Sequence, residues 1–362
     1  MKDLVLYRKY RPQTFSEVSG QDHVVKTLLS ALKSGKVAHA YLFAGPRGVG
    51  KTTTARLLAK AVNCLDSSSL EPCNKCDSCL EIMENRAMDL IEIDAASNRG
   101  IEEIRELRER IRFTPIKGKY KVFVIDEAHQ LTKEAFNALL KTLEEPPAHA
   151  IFILATTEAH KMLPTIISRV QRFDFKKFGL NDILDRLELI SKKEKVKADK
   201  KALRIIALNA EGHMRDAESM LGKVMAFSGD KEISVEDVEN ILGIVDINLA
   251  IKFIDLLADK DSKKALEFID KFINQGYDLV QFIQSLINYS RKLLLIKISK
   301  DLSKLIKEEL SSEQLNTAIK QADKFSIEEL SKMIEIFIET LFKMKRSSFP
   351  QLEIELAVVE IC

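Results

Sequence analysis

His39-Ala40-Tyr41-Leu42-Phe43-Ala44-Gly45-Pro46-Arg47-Gly48-Val49-Gly50-Lys51-Thr52-Thr53 runs from an apolar stretch through a glycine-rich turn to a lysine and two threonines. Gly45, Gly50, Lys51 and Thr52 stand at the spacing of a P-loop, whose backbone N–H groups wrap phosphates at a helix N-terminus. The expected ATP contacts are Gly45, Pro46, Arg47, Gly48, Val49, Gly50, Lys51, Thr52 and Thr53, with Lys51 on the β- and γ-phosphates and the Thr52 hydroxyl on Mg²⁺. A loop of this kind joins a strand to a helix. Further strand candidates are Leu90 to Ile93, Tyr120 to Ile125 and Ala150 to Leu154, the last two rich in β-branched and aromatic residues as in strands buried on both faces. Amphipathic patterns at Lys51 to Asn63, Gly100 to Arg112 and Lys133 to Glu144 alternate with them. The fold class is therefore α/β, a parallel sheet with helices on both faces. Beyond about Phe178 the strand signals stop and helical spacing takes over, as in Ile183, Leu187 and Ile190.

A P-loop needs a carboxylate at the end of a second strand, and Val122-Phe123-Val124-Ile125-Asp126-Glu127 supplies two. Asp126 is expected to hold Mg²⁺, directly or through water, and Glu127 to orient or polarise the attacking water, the step that makes a nucleotide binder an ATPase. Asp126-Glu127-Ala128-His129 also spells a helicase signature. Helicases of that class build a second α/β domain after the first, whereas the remaining residues here are helical.

The chain has 362 residues, enough for two or three domains, and 56 Lys plus Arg against 54 Asp plus Glu. Any contact with nucleic acid must therefore come from a local basic surface. Tryptophan is absent, which argues against stacking platforms and for phosphate contacts. No apolar run approaches the ~20 residues of a spanning helix, and Met1-Lys2-Asp3 does not open a signal peptide, so no membrane association and a cytoplasmic location are expected.

Cys64, Cys73, Cys76 and Cys79 form C-x8-C-x2-C-x2-C. Four thiolates can close a tetrahedral Zn²⁺ site of structural type, although three cysteines at two-residue intervals also occur around iron–sulfur clusters.

Several blocks in order carry a family resemblance: Tyr10-Arg11-Pro12 with Phe15 and Val18-Ser19-Gly20-Gln21, His39 to Phe43, Asp94-Ala95-Ala96-Ser97, and Asn137-Ala138-Leu139-Leu140-Lys141-Thr142-Leu143-Glu144-Glu145-Pro146-Pro147. With them the chain resembles the gamma/tau family of bacterial DNA polymerase III clamp-loader subunits, AAA+ ATPases, over essentially its whole length. The resemblance implies that Thr157 is a sensor for the γ-phosphate and water, and that Arg215 reaches the nucleotide from a helical lid. It also implies that Arg169 is a finger completing a neighbour's site, that Arg11, Pro12 and Val18 flank adenine, and that the cysteines hold zinc. The implied domains are an AAA+ ATPase domain at 1–178 with the zinc module at 64–79, a lid at 179–243 and an oligomerising collar at 244–362. The boundary of the last is set at Gly243-Ile244-Val245-Asp246.

By the same resemblance Asn98, Arg99, Arg105, Asn137, Lys141 and Thr165 are candidates for the DNA backbone, while ion pairs with Glu102 and its acidic neighbours explain Arg105 equally well. Implied partners are other copies of the chain, delta and delta-prime subunits, the sliding clamp and primer–template DNA. The chain ends where the collar would end, which implies a gamma-like length or a shortened tau. It departs from the usual family residues at Val170, Glu218, Gly222 and Lys223. Two competitors share parts of this reading: a branch-migration or helicase motor would lack the cysteines, and a non-catalytic subunit would carry a damaged phosphate loop.

Overall fold

The computed structural model of the chain describes residues 5–66, 69–229, 231–243, 247–299, 310 and 312–362. They form two compact units, divided between Met225 and Ala226. Of the expected lid–collar boundary, Ile244, Val245 and Asp246 lie outside the described residues.

In the first unit β1 (Ala40–Ala44), β2 (Leu90–Asp94), β3 (Lys121–Asp126), β4 (Ala150–Thr156) and β5 (Gln171–Asp174) make one sheet in the order β2-β3-β4-β1-β5. Every pairing is parallel. Strand alternation sorts the apolar side chains between two cores. On one face Leu42, Phe123, Ile125, Phe152 and Leu154 pack with Ile104, Leu107, Phe136 and Leu139. On the other Tyr41, Phe43, Val122, Val124, Ile151 and Ile153 pack with Leu28, Leu57 and Leu58. The helices of this unit's sheet region are α1 (Leu6–Lys9), α2 (Asp22–Lys33), α3 (Lys51–Asn63), α4 (Asp77–Met83), α5 (Ile101–Arg112), α6 (Lys133–Glu144) and α7 (Pro164–Ile167), of which α2, α3, α5 and α6 supply these residues. The sheet thus has the expected class, with one addition. β5 is absent from the sequence reading because only Phe173 of its four residues is buried, so an edge strand with three exposed positions carries no apolar run.

α8 (Leu180–Glu194), α9 (Lys200–Asn209) and α10 (Met214–Ser228) follow, α8 packing on α9 through Ile183, Leu187, Leu203 and Ile206. The second unit contains α11 (Val235–Leu242), α12 (Ile247–Ala258), α13 (Ser262–Asn274), α14 (Leu279–Ile298), α15 (Ser312–Asp323), α16 (Ile327–Met344) and α17 (Pro350–Ile361). Its core joins Phe253, Phe282, Leu286, Leu293, Phe337 and Ile354. A capping box starts α16, where Ser326 Oγ accepts from Glu329 N and Ser326 N donates to Glu329 Oε2. Among the described residues no helix is long and apolar enough to cross a membrane.

Candidate nucleotide site

The glycine-rich loop leaves the buried strand β1 and enters α3, so the orphan N–H groups of that helix face the mouth of the turn. Gly45 and Gly50 are needed there. Gly45 has φ +152° and a Cβ on it would lie 2.5 Å from the Phe175 carbonyl oxygen; Gly50, at φ +99°, is the left-handed N-cap of α3. Lys51 is 6% exposed and its Nζ donates to the carbonyls of Gly45 and Pro46, both at 2.7 Å. Burial pushes its pKa down, while Glu127 and Asp126 favour the charged form. A buried ammonium held only by backbone oxygens is placed to take a polyphosphate in their stead.

Two carboxylates, Asp126 and Glu127, come from the C-terminal end of β3 and a hydroxyl, Thr157, from that of β4, the edge where ligands bind in open parallel sheets. Thr52 Oγ1 donates to Asp126 Oδ2 at 2.7 Å, and Asp126 Oδ1 accepts from Glu127 N at 2.9 Å. Thr157 Oγ1 donates to Glu127 Oε2 at 2.8 Å. Glu127 itself has φ +47°, ψ +42°, a left-handed backbone that a β-carbon disfavours by about 1–2 kcal/mol. His129, with a 4% exposed side chain, sits behind Glu127, Nδ1 3.0 Å from Thr156 Oγ1 and Nε2 3.0 Å from Glu158 Oε2.

Lys51, Thr52, Asp126 and Glu127 line a cavity of about 260 Å³. Of the predicted residues, Arg11, Pro12, Val18, Arg47 to Thr53, Asp126, Glu127 and Arg215 line it. Gly45 and Pro46 stand behind Lys51, and Thr157 reaches the cavity through Glu127. Arg215 enters from α10, its guanidinium carbon 4.6 Å from the centre of the Tyr7 ring. A Cβ on Gly48 would lie 3.4 Å from Arg215 Cβ, so lid helix and phosphate loop are in close apposition.

Tyr7, Arg8, Glu17, Ser19, Phe178, Arg186, Met214 and Glu218 also line the cavity. Ser19 and Met214 lie inside or beside the blocks that carry the resemblance, whereas Tyr7, Arg8, Glu17, Phe178, Arg186 and Glu218 lie on segments that only folding brings here. Glu218, a departure from the family pattern, puts a carboxylate in the wall. Arg186 Nε donates to its Oε1 at 2.8 Å, and Arg186 Nη2 donates to the Tyr10 carbonyl. Burial raises the Glu218 pKa, against the pull of Arg186 and Arg11.

Arg169 does not line this cavity. It follows α7, and its guanidinium binds Glu144 Oε1 at 2.7 Å, the Thr165 carbonyl at 2.9 Å and Ser168 Oγ at 3.0 Å. The DNA candidates lie elsewhere on the same unit. Arg99, Arg105, Asn137, Lys141 and Thr165 are exposed on α5, α6, α7 and the loop before α5, and α5 packs on α6 and α6 on α7. Asn98 folds back on the Asp94 carbonyl, Arg99 Nε on the Ala96 carbonyl, and Arg105 pairs with Glu102 at 2.6 Å.

The four cysteines converge. Their sulfurs lie within 4.8 Å of one another, at the end of α3 and the start of α4. A tetrahedral ion with Zn–S near 2.3 Å spaces its sulfurs by about 3.8 Å, so a small contraction closes the site. Backbone N–H groups of Lys75 and Cys76 point at Cys73 Sγ and hold its pKa down at about 6, as suits a thiolate ligand. Burial instead pushes Cys79 and Cys64 up.

Residues 20–179 match the family model described as DNA polymerase III, delta subunit; 182–230 match DNA polymerase III clamp loader subunit, ATPase lid domain; and 233–362 match DNA polymerase III subunits gamma and tau domain III. DNA polymerase III subunit tau of Bacillus subtilis is 45% identical over 357 residues, 99% of this chain and 63% of the relative. Its Escherichia coli counterpart is 40% identical over 295 residues, 82% of this chain and 46% of the relative. The chain thus spans less than two-thirds of these relatives. Among solved structures, the Thermotoga maritima RuvB Holliday junction branch migration motor covers 68% of this chain and 78% of its own at TM-score 0.50 and 20% identity, a likeness of fold alone. The three consecutive matches, together with similarity along nearly the full length at 45% identity, make the chain a member of the gamma/tau family of DNA polymerase III clamp-loader subunits.

Proposed function

We propose that this chain is the ATP-hydrolysing motor subunit of a replicative clamp loader, which opens a sliding clamp and sets it on primer–template DNA. The observation that carries the reading is the pair of contacts Thr52–Asp126 and Glu127–Thr157, which bring a metal-binding hydroxyl and carboxylate and a water-orienting carboxylate into one cavity with Lys51. In this reading Lys51 and the loop amides bind the β- and γ-phosphates. Thr52 and Asp126 would hold Mg²⁺, an all-oxygen donor set suited to that ion, which offsets the charge that develops on the transferred phosphoryl group. Glu127 orients water, Thr157 fixes Glu127, and Arg215 senses the nucleotide from α10. Arg169 serves the site of a neighbouring copy. Cys64, Cys73, Cys76 and Cys79 would hold Zn²⁺ as a structural staple.

The proposed domain division remains 1–178, 179–243 and 244–362. The last would assemble copies of the chain with delta and delta-prime subunits, for which Phe342 and Phe349 on the second unit, 65% and 70% exposed, with Leu352, Leu356 and Val359 exposed beside them, supply an apolar surface. The exposed Arg99, Asn137, Lys141 and Thr165 would face the DNA phosphates, with Asn98 and Arg105 beside them.

The test is ATP hydrolysis by the chain assembled with cognate delta, delta-prime and clamp, with and without primed DNA, beside Lys51→Ala. Stimulation by clamp plus primed DNA, lost in the variant, is expected. Turnover indifferent to the clamp points to a helicase-like motor, and no turnover to a structural subunit.

A further inference from the structure

The cysteine module is tied to the segment that walls one end of the nucleotide cavity. Glu71, two residues ahead of Cys73, accepts hydrogen bonds from the backbone N–H groups of Phe15 at 2.6 Å and Ser16 at 3.0 Å. Those amides open the 3-10 turn Phe15–Glu17, whose N-cap Thr14 makes no side-chain bond to them, so Glu71 does the capping from 55 and 56 residues away. Lys60 makes a second tie. It lies on α3, is 2% exposed, and its Nζ reaches the Gln13 carbonyl at 3.2 Å, Gln13 Oε1 at 2.9 Å and Asn74 Oδ1. Asn74 sits between Cys73 and Cys76 with φ +58°. Gln13 passes the restraint on, its Nε2 donating to the Arg11 carbonyl at 2.9 Å and its N–H to Glu17 Oε2 at 2.7 Å. Arg11, Pro12, Glu17 and Val18 are cavity wall.

Charge reinforces the geometry. A buried ammonium needs an anionic partner, and four thiolates around a divalent ion leave a net negative centre beside Lys60. α3 closes the circuit, since it begins at Lys51 in the phosphate loop and ends one residue before Cys64.

We propose that the cysteine module is a brace for the nucleotide cavity: the bound metal fixes Glu71 and Asn74, these hold the Arg11–Val18 wall, and nucleotide affinity therefore depends on metal occupancy. The inference rests on reading the cysteines as a metal site and the cavity as a nucleotide site. Glu71 and Asn74 are positioning residues.

The experiment uses the full chain, the double variant Glu71→Ala with Asn74→Gly, and Glu71→Gln. Glycine at 74 keeps the left-handed backbone while deleting the side-chain oxygen. Metal content is measured by atomic emission, affinity by titration with a fluorescent ATP analogue, and folding by thermal melting. The double variant should keep its zinc, stay folded at a somewhat lower melting temperature and bind nucleotide about tenfold more weakly, with Glu71→Gln, which keeps one acceptor oxygen, in between. Chelation should weaken the parent at least as much, yet add little to the double variant, because the link is already cut. A zinc-loaded double variant that binds nucleotide as tightly as the parent overturns the brace, as does a stripped, still-folded parent with unchanged affinity. If the stripped parent unfolds, the zinc-loaded double variant decides alone. A parent that takes up no zinc overturns the metal reading, and one that binds no nucleotide overturns the cavity reading; either takes the brace with it.

Discussion

Arg186→Leu isolates the energetics of the charge pair in the cavity wall. The side chains of Arg186 and Glu218 are 14% and 6% exposed, and the substitution leaves the carboxylate buried without its guanidinium. An unpaired buried carboxylate does not stay charged at any cost; it takes up a proton. The penalty is therefore capped by the free energy of protonating Glu218, which from its ordinary value of 4.5 amounts to about 4 kcal/mol near pH 7.5 and about 1 kcal/mol near pH 5. The sign follows from linkage. A carboxyl whose folded pKa is raised binds more protons in the native state than in the unfolded one, so its stabilising contribution is complete below the unfolded pKa and is lost as pH rises through the folded pKa. Burial already raises Glu218 in the parent, with Arg186 opposing; removing Arg186 steepens the trend. Thermal melts of parent and variant at the two pH values should differ by about 3 kcal/mol in their gap, roughly 6–12 °C for a unit of this size. Arg186→Leu with Glu218→Leu should remove the pH dependence and recover most of the loss, since well-packed apolar pairs replace buried ion pairs at little net cost. A destabilisation that is flat with pH would show that water in the cavity solvates Glu218, and the argument from burial would be wrong.

Glu127→Gln keeps the side-chain volume but cannot accept a proton from water; hydrolysis should fall by about 10²–10⁴-fold in single-turnover assays while equilibrium nucleotide binding stays nearly unchanged. Arg169→Ala should cost little stability, because its bonds to Glu144 and Ser168 are at the surface. In the proposed reading, in which Arg169 serves a neighbour's site, it should abolish turnover in assemblies and regain part of it when mixed with Lys51→Ala chains, whose Arg169 is intact. Asp89 accepts from the N–H groups of Ile116, Lys117 and Gly118 at 2.7–2.8 Å. Burial pushes its pKa up, but these bonds and Lys121 prevail and hold it below the usual range. Its contribution is present above the unfolded value and is lost as pH falls through the folded one. Asp89→Asn should thus lower stability by about 2–4 kcal/mol near neutrality and flatten the acid limb of the melt-versus-pH curve.

The phosphate loop, the acidic strand end and the cysteine set were legible because Gly45 to Thr52, Asp126-Glu127 and Cys64 to Cys79 are each a short pattern along the chain, although the contacts Thr52–Asp126 and Glu127–Thr157 join distant positions. The parallel sheet followed from apolar runs that no single-faced strand needs. β5 escaped because three of its four residues are exposed and only Phe173 is apolar and buried, so it carries no such run. The far wall escaped for a different reason. Arg186 and Glu218 stand 32 residues apart on two amphipathic helices, where a charged residue normally marks the solvent side. Here that side faces a cavity. The same blindness hid Glu71, which in sequence is one more acid in a loop.

The arrangement of charge suggests how nucleotide can move the lid. Arg8, Arg11, Arg47, Lys51 and Arg215 line one cavity yet come from α1, the following loop, the phosphate loop, α3 and α10. Arg11 feels the crowding. Burial lowers its pKa first, then Arg56, with Arg8 and Arg215 adding to the effect and Glu92 opposing it. Like charges gathered from separate elements repel, and with the Arg215 guanidinium against the Tyr7 ring that repulsion is only partly offset. In the proposed reading a polyphosphate would reverse the sign at the centre and give these cations a common partner. The differential interaction is then largest for the one that rides on the lid helix, because the sheet-bound groups are already fixed. Binding energy for ATP over ADP would in this way be converted into a preferred position of α10, without any residue of the lid taking part in the chemistry.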